Sequence, residues 1–353
     1  WIFCSLYKKP SGVRIMAYTA IDNPELFFNT VLYTGDGNNG RTVTGVGFSP
    51  DLTWLKSRSE TEHHTWNDTV RGANKQLYSN LSYAEATDTD RLQSFDSDGF
   101  TLGTDVIVNK DTETFVSWNW LAGSNAANTD GSINSTVSVN TTSGFSICSW
   151  THDGGNSTIG HGLGAVPEVI ITKERNASGS WNSYFASVGN AHRMVFNGTN
   201  AKISSSIWNS TTPTSTVFSM NDSISSTMIA WCFTPIKGYS KFGAYKGNGN
   251  DDGIFIYTGF KPAWVLTRQT NGGNYWHIHD NRRNAFNVRN TQLKAGNSAA
   301  DETPSGGENS KDFVSNGFKF RDSDHNNQAQ EYLYMAFAEN PFVSSNGIPV
   351  NAE

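Results

Sequence analysis

Short runs of alternating hydrophobic and polar residues, separated by clusters of glycine, asparagine and aspartate, fill most of this chain. TVLYTG, SICSWT and FGAYKG are three such runs, and each leads into a turn-like cluster, for example GDGN at residues 35–38. Alternation with a period of two places one side of a strand in a core, and Gly, Asn and Asp accept the positive φ angles that hairpin turns need. The pattern therefore predicts an all-β protein of short antiparallel strands.

The runs recur at a spacing of about one hundred residues, which is typical of an array of like modules. Each copy has, in order, an aromatic residue that ends an alternating run, a proline, a phenylalanine in a second strand and a closing aromatic run. These landmarks are Tyr33, Trp150 and Tyr245; Pro50, Pro167 and Pro262; Phe100, Phe218 and Phe318; and Trp118, Trp231 and Phe337.

We therefore predict three tandem antiparallel β-sandwich modules of the jelly-roll type. Module one spans residues 29–124, module two residues 144–240 and module three residues 241–342. The remaining segments are an N-terminal extension (1–28), a linker (125–143) and a surface tail (343–353). Met16 heads a segment typical of a natural start, so residues 1–15 are expected to come from an extended reading frame; a genuine N-terminal arm is the alternative.

Composition supports a folded chain. Hydrophobic residues make up only 36% of the 353 residues, but 11 Trp, 12 Tyr and 21 Phe are present. Disordered chains are poor in aromatic residues, and each aromatic ring buries about 150–250 Å². These rings are enough to predict a separate small core in each module.

Charge and hydropathy exclude two classes of partner. The net charge of −6 provides no basic stripe for phosphates, so no nucleic-acid binding is expected. The sequence contains no apolar run of about 20 residues, so we expect no membrane insertion.

Several segments resemble a domain family found in virion structural and tail-fibre-like proteins of marine bacteriophages, notably phages of cyanobacteria and of pelagic bacteria. FFNTVLYTGDG, GVGFSPDLTWLKSR, DTVRGANKQLYSN and SFDSDGFTLG carry the resemblance in module one, and GFSICSWTHDGGNSTIGHGLGAVPEVIITKER carries it in module two. The resemblance implies a fibre- or decoration-like virion protein, made in the host cytoplasm before assembly. Its expected partners are other virion proteins, further copies of itself and a host-surface glycan.

Two alternatives to a structural virion protein stay open. One is an array of carbohydrate-binding modules, and the other is a polysaccharide-degrading enzyme of the tailspike type. The sequence pairs no carboxylates at equivalent positions of the copies, as a repeated glycosidase site would. We therefore predict that the chain is not an enzyme.

Polar residues surround a tryptophan shortly after the proline strand, and this pattern predicts glycan contact. A sugar ring needs an apolar platform and hydrogen-bonding groups beside it. The alternative is a tryptophan packed beneath a loop. The D-x-x-R-G sequence of module one is matched only by DNRR in module three, so a site built on it is not expected three times. The candidates are Trp66, Asp68 and Arg71 in module one, and Trp276, His277 and Asp280 in module three.

Metal and cofactor patterns are weak. His277 and His279 share a strand face, as two metal ligands would, but no third ligand is indicated, and the adjacent pair at 63–64 has none either. DSDG at 96–99 and DSD at 322–324 lack the full calcium-loop pattern and are interpreted as turns. Cys148 and Cys232 are interpreted as buried free thiols, with a disulfide as the alternative. We predict no metal and no cofactor.

Overall fold

The computed structural model describes residues 18–350, and the predicted start region at residues 1–15 lies outside them. The fold is all-β, as predicted, and every pairing between its named strands is antiparallel. Its helices are one 3₁₀ turn (Pro24–Leu26) and one short α-helix among these residues. None of the helices in this part of the chain is long and apolar enough to cross a membrane.

Module one contains a six-stranded sheet of order β1-β9-β3-β4-β5-β6 and a three-stranded sheet of order β2-β8-β7. Its elements are β1 (Phe28–Thr34), β2 (Arg41–Thr44), β3 (Leu52–Ser57), β4 (Thr65–Asp68), β5 (Lys75–Tyr78), β6 (Ala86–Thr87), β7 (Leu92–Asp96), β8 (Gly99–Leu102), α1 (Val106–Asn109) and β9 (Thr114–Trp120).

Module two has a single eight-stranded sheet of order β10-β11-β12-β17-β13-β14-β15-β16. The predicted linker supplies its first two strands: β11 pairs with β12, and β10 pairs with β11 at the edge of the sheet. The strands are β10 (Asn125–Asn128), β11 (Ser135–Asn140), β12 (Phe145–Gly160), β13 (Val169–Glu174), β14 (Asn182–Phe185), β15 (His192–Val195), β16 (Ile203–Ser204) and β17 (Val217–Phe233).

Module three has a five-stranded sheet of order β18-β25-β20-β21-β22 and a three-stranded sheet of order β19-β24-β23. The strands are β18 (Ser240–Lys246), β19 (Phe255–Tyr257), β20 (Phe260–Gln269), β21 (His277–Asp280), β22 (Leu293–Lys294), β23 (Lys311–Val314), β24 (Gly317–Phe320) and β25 (Glu331–Pro341).

The strand registers relate the three modules residue by residue. Leu52, Val169 and Trp264 are equivalent, because they pair with Trp120 in β9, Phe233 in β17 and Phe337 in β25. Each follows its landmark proline by two residues, so the three prolines occupy one position, as the sequence indicates. The three landmark phenylalanines are also equivalent. Phe100 pairs with a residue of β2, Phe218 with a residue near the end of β12 and Phe318 with a residue of β19.

One alignment was wrong by two residues. The partner of Trp118 and Trp231 in module three is Met335, not Phe337, because these three pair with equivalent positions on the proline strands. The run YLYMAF is hydrophobic at every position, so its composition does not show which residue faces which side.

Each of the three ranges called modules contains a small core of its own. One cluster of buried residues lies within each module, and it includes the landmark phenylalanine, whose side chain is at most 1% exposed. Cys148 and Cys232 are free thiols in the module-two cluster.

The largest core was not predicted, and all three modules share it. Alternate residues of each central strand enter this shared core, while the residues between them face the module's own core: in β17, Trp231 lies in the shared core and Cys232 in that of module two. Rings from different modules meet there, for example Trp66 and Trp231, whose centroids are 4.8 Å apart. The sheets therefore converge on one aromatic centre.

Equivalent backbone hydrogen bonds close the modules into a ring. In each, an amide N–H in a loop of one module donates to the carbonyl oxygen just after the proline strand of the next, over 2.7 Å. The pairs are Glu85 to Arg175, Lys202 to Thr270 and Asp301 to Arg58. Module one thus contacts module two, module two contacts module three, and module three contacts module one.

A buried cation stands at one equivalent position in each module: Lys56, Lys173 and Arg268, all fully buried. The ammonium groups of Lys56 and Lys173 donate to carbonyl oxygens one and four residues further along the chain. Burial lowers the pKa of each lysine to about 8 and the pKa of Arg268 to about 10. The two lysines therefore stabilise the turns that follow their strands, whereas Arg268 donates to the carbonyl oxygen of Asn200 in module two at 2.6 Å.

The shared core predicts that damage in one module affects the whole ring. Trp118→Ala should lower the free energy of unfolding by about 3–5 kcal/mol, as large-to-small core changes do. We expect calorimetry to show one transition displaced as a whole, because the Trp118 ring packs against Trp54 of its own module and contacts Trp264 of module three. Phe100→Ala, in the core of module one alone, is the matched control. A separate early transition for Trp118→Ala, with the rest unchanged, would contradict a shared core.

Lys56 and Lys173 predict an unusual dependence of stability on pH. Their pKa in the fold lies below the ordinary lysine value of 10.5, so the unfolded chain binds more protons between pH values of about 8 and 10. The free energy of unfolding should therefore rise across this window, by on the order of 1 kcal/mol per lysine. Chemical denaturation at several pH values measures it. Lys56→Met combined with Lys173→Met should reduce the rise and leave the share of buried Lys311, whose pKa burial lowers to about 7; an identical rise in this variant would assign it to other groups.

Candidate functional site

The residues that the sequence predicts for glycan contact are all buried, with at most 7% of any of them exposed. Trp66 and Trp276 lie in the shared core, where both ring faces are covered by other side chains. Neither tryptophan can serve as a platform for a sugar, so the prediction of direct contact is corrected here. The buried set is Trp66, Asp68, Arg71, Trp276, His277 and Asp280.

The registers show that Trp66 and Trp276 do not occupy equivalent positions. Trp66 on β4 pairs with Trp54, and its counterpart in module three is Ile278 on β21. Trp276 lies two residues before Ile278, as His64 lies two residues before Trp66, so Trp276 corresponds to His64. Trp181 is the residue at the same position in module two. The indole N–H groups of Trp181 and Trp276 donate to carbonyl oxygens of the preceding module, at Leu81 and Val195. These tryptophans therefore hold modules together.

The Asp–Arg pairs of modules one and three have one geometry. Arg71 Nε donates to Asp68 at 2.6 Å and Arg283 Nε donates to Asp280 at 2.6 Å, and all four side chains are fully buried. Beside Arg283, the pKa of the Asp280 carboxyl is lowered although burial opposes this. D-x-x-R is thus a structural element present twice.

Both arginines also connect neighbouring modules. The Arg71 guanidinium lies over the Trp231 ring of module two, and the Arg283 guanidinium lies over the Trp118 ring of module one. Such cation–π contacts are worth up to about 2 kcal/mol when desolvated. These charged side chains suggest a binding site when only the sequence is considered. In the structure they stabilise the contacts between neighbouring modules.

One predicted residue, His277, does border an opening. It lies in the wall of a pocket of about 780 Å³ in module three, a size that suits a small ligand. Its ring nitrogens are 2.6 Å from Gln292 Oε1 and 3.1 Å from Asn274 Oδ1. Burial lowers the pKa of His277 well below its ordinary value, so the ring is neutral and donates from one nitrogen only. One of the two amides must therefore turn its NH₂ group toward the ring.

Amide, carboxylate and aromatic groups line this pocket, which we call the module-three pocket. The amides of Gln269, Asn274 and Gln328 offer both donors and acceptors, and half-buried Tyr275 provides a ring. The Lys294 ammonium lies 5.2 Å from the centre of that ring. It also forms an ion pair of 2.6 Å with Glu302. Convergent hydrogen-bonding groups beside an aromatic ring are what recognition of a sugar requires.

Three further groups meet at one side of the module-three pocket. Glu308, Asp324 and His325 each bring a carboxylate oxygen or ring nitrogen to within 4.8 Å of the other two. The backbone N–H of His325 donates to Asp324, which lowers the pKa of that carboxyl and keeps it ionised near neutral pH. The DSD turn is as expected, with the Asp324 N–H donating to Asp322.

Module two has a smaller pocket of about 390 Å³ at the equivalent place. Its wall residues Glu174, Asn182 and Arg193 correspond to Gln269, His277 and Gln292 of the module-three pocket, by the registers of β14 with β15 and of β21 with β22. The two pockets share a position in the fold but not a lining. Each module thus has its own chemistry at this position.

Sequence reasoning missed both pockets because their walls come from segments far apart along the chain. The module-three pocket combines the ends of β20, β21 and β22 with the loops before β23 and β25. The one available signal was the polar run NGGNYWHIHD, which identified His277.

A family model described as "Domain of unknown function (DUF7483)" matches residues 23–341. No curated protein and no solved structure matches the chain. The matched range contains the module-three pocket and all six buried candidates.

Replacing the buried tryptophans should affect stability. Trp66→Ala removes a ring that packs on Trp54 and Trp231, so we expect a loss of about 3–5 kcal/mol in the free energy of unfolding. Thermal melting measures the effect, with Tyr83→Ala as the control because the Tyr83 side chain is 59% exposed. An unchanged melting temperature for Trp66→Ala would contradict its place in the core.

Proposed function

We propose that this chain, which belongs to the DUF7483 family of domains of unknown function, is a non-catalytic structural and adhesion protein of a phage particle. It contacts a host-surface glycan through the module-three pocket and other virion proteins through its outer surface. The observation that carries the adhesive role is the pocket itself: about 780 Å³, open, lined by amides and carboxylates, and bordered by Tyr275.

The lining favours a saccharide over an apolar ligand. Gln269, Asn274 and Gln328 can each donate and accept hydrogen bonds, which matches the hydroxyl groups of a sugar. Asn274 and Gln328 already donate to His325 and Asp324, and the hydroxyl groups of a sugar can join these hydrogen bonds, whereas an apolar ligand cannot. The closed ring of modules provides a rigid support for such a site, because its walls are strands anchored in the shared core.

The location in a virion rests on the resemblance of long segments to virion proteins and on the repetitive all-β architecture. Immunolabelling of intact particles in the electron microscope tests it. Label confined to the particle supports the proposal, and protein found only in the infected cell overturns it.

Glycan binding is tested with the purified full chain on a glycan array, followed by calorimetry on the best ligand. Tyr275→Ala should weaken binding at least about tenfold, since it removes the one tyrosine ring of the pocket wall in the described part of the chain. Its melting temperature should stay close to that of the wild type because Tyr275 lies outside the buried clusters. Tyr83→Ala, an exposed tyrosine in module one, is the matched control.

Two outcomes would contradict this proposal. Binding that is equal for Tyr275→Ala and the wild type would place the glycan elsewhere. Release of new reducing ends from a bound polysaccharide would make the protein an enzyme of the tailspike type.

A further inference from the structure

One position of the fold carries a different residue in each module: Arg91, Ile207 and Ser310. Their carbonyl oxygens accept equivalent hydrogen bonds, from the N–H groups of Gly103, Asn221 and Arg321. The donors follow directly after Leu102 in β8, Met220 in β17 and Phe320 in β24. These three residues are equivalent, because each lies two residues after its module's landmark phenylalanine. The side chain at this position therefore projects from the same point of each module.

In module one, Arg91 fills the space that is a pocket in the other modules. Its guanidinium lies 5.5 Å from the centre of the Tyr78 ring and donates to the Tyr78 hydroxyl. Its Nε atom is 2.9 Å from Asp105 and 3.2 Å from Asp88. Tyr78 on β5 is the counterpart of Lys294 on β22, in the wall of the module-three pocket. An internal cation and two carboxylates thus close the site of module one.

In module three, two carboxylates lie near the corresponding place, but the arginine position holds Ser310. This buried serine is not among the residues that line the pocket, and its side chain is too short to fill it. Glu308 lies two residues before Ser310, and in module one Asp88 lies three residues before Arg91. Asp324 lies in the loop after β24, and Asp105 lies in the loop after β8. The Lys294 ammonium is already paired with Glu302. The His325 Nδ1 atom lies 3.8 Å from Glu308 and 3.3 Å from Asp324, and the side-chain amide of Gln328 donates to Asp324 at 2.8 Å. The pocket keeps an excess of negative charge where module one holds a guanidinium.

We propose that the module-three pocket binds the protonated amine of an amino sugar, which takes the place that the Arg91 guanidinium has in module one. This inference rests on the proposed glycan binding and names the class of glycan. The ammonium group donates to Glu308 and Asp324, and the hydroxyl groups of the sugar meet the amides of Gln269, Asn274 and Gln328. Hydrogen bonds between charged partners are roughly twice as strong as neutral ones, so the amine determines selectivity.

The test compares two sugars that differ only at the nitrogen. Isothermal titration of the full chain uses the trisaccharide of glucosamine and, separately, the trisaccharide of N-acetylglucosamine. Acetylation removes the charge, so we expect the free amine to bind at least about tenfold more tightly. Asp324→Asn should remove this preference. Asp251→Asn, at an exposed aspartate of the same module outside the pocket, should keep it.

A second variant returns the missing arginine. Ser310→Arg should fill the pocket as Arg91 does and abolish binding of both trisaccharides. Because Ser310 is only 3% exposed, the melting curve of this variant is recorded first, and Asp324→Asn decides the question if Ser310→Arg does not fold.

The outcomes separate the two proposals. Equal affinity for both trisaccharides overturns the amino-sugar inference and leaves glycan binding standing. Binding of neither trisaccharide, while other glycans bind on the array, also overturns the inference alone. Binding of no glycan at all overturns both. Binding of arginine amide without either sugar would show that the pocket takes a protein side chain, which overturns the inference as well.

Discussion

The structure depends on the burial of three aromatic sheet faces against one another. Each central strand is apolar on both faces, and the module's own small core covers only one of them. The other face carries large rings, such as Trp118, Trp231 and Phe337, that are at most 1% exposed. A single module would leave that face in water, and in this chain the ring of three covers it in every module. The contacts that stabilise the chain are therefore the same contacts that close the ring of modules.

The same constraint explains why the buried Asp–Arg pairs, which the sequence suggests as binding residues, have a structural role. Bringing three sheets together buries the strand ends at each junction, and their polar groups need partners there. The Asp68–Arg71 and Asp280–Arg283 pairs supply them, while Glu85 and Asp301 extend these pairs to Arg175 and Arg58 of the neighbouring modules. Such a network resembles a binding site in sequence because both need charged residues beside aromatic ones.

The sequence predicts the elements well and their assembly poorly. Turn clusters and alternation identify the strands, and the common place of Pro50, Pro167 and Pro262 confirms the equivalence of the proline strands. The shared core escapes prediction because MIAWCF is apolar at every position, so its two faces cannot be told apart. Of the pocket, only His277 was identified, since its other walls come from loops that the fold alone brings together. Predictions of a virion location and of partners stay predictions.

Because the shared core holds the three modules together, residues outside that core can differ from module to module. Residues of the shared core in one module contact the other two, so a substitution there disturbs the whole chain. The position of Arg91, Ile207 and Ser310 lies outside that core, and it holds a cation, an apolar side chain and a hydroxyl group in turn. Module three has Ser310 where module one has Arg91, while the strands around the two positions keep equivalent registers. The chemistry at this position can therefore change by one residue, because the rest of the ring keeps the surrounding groups in place.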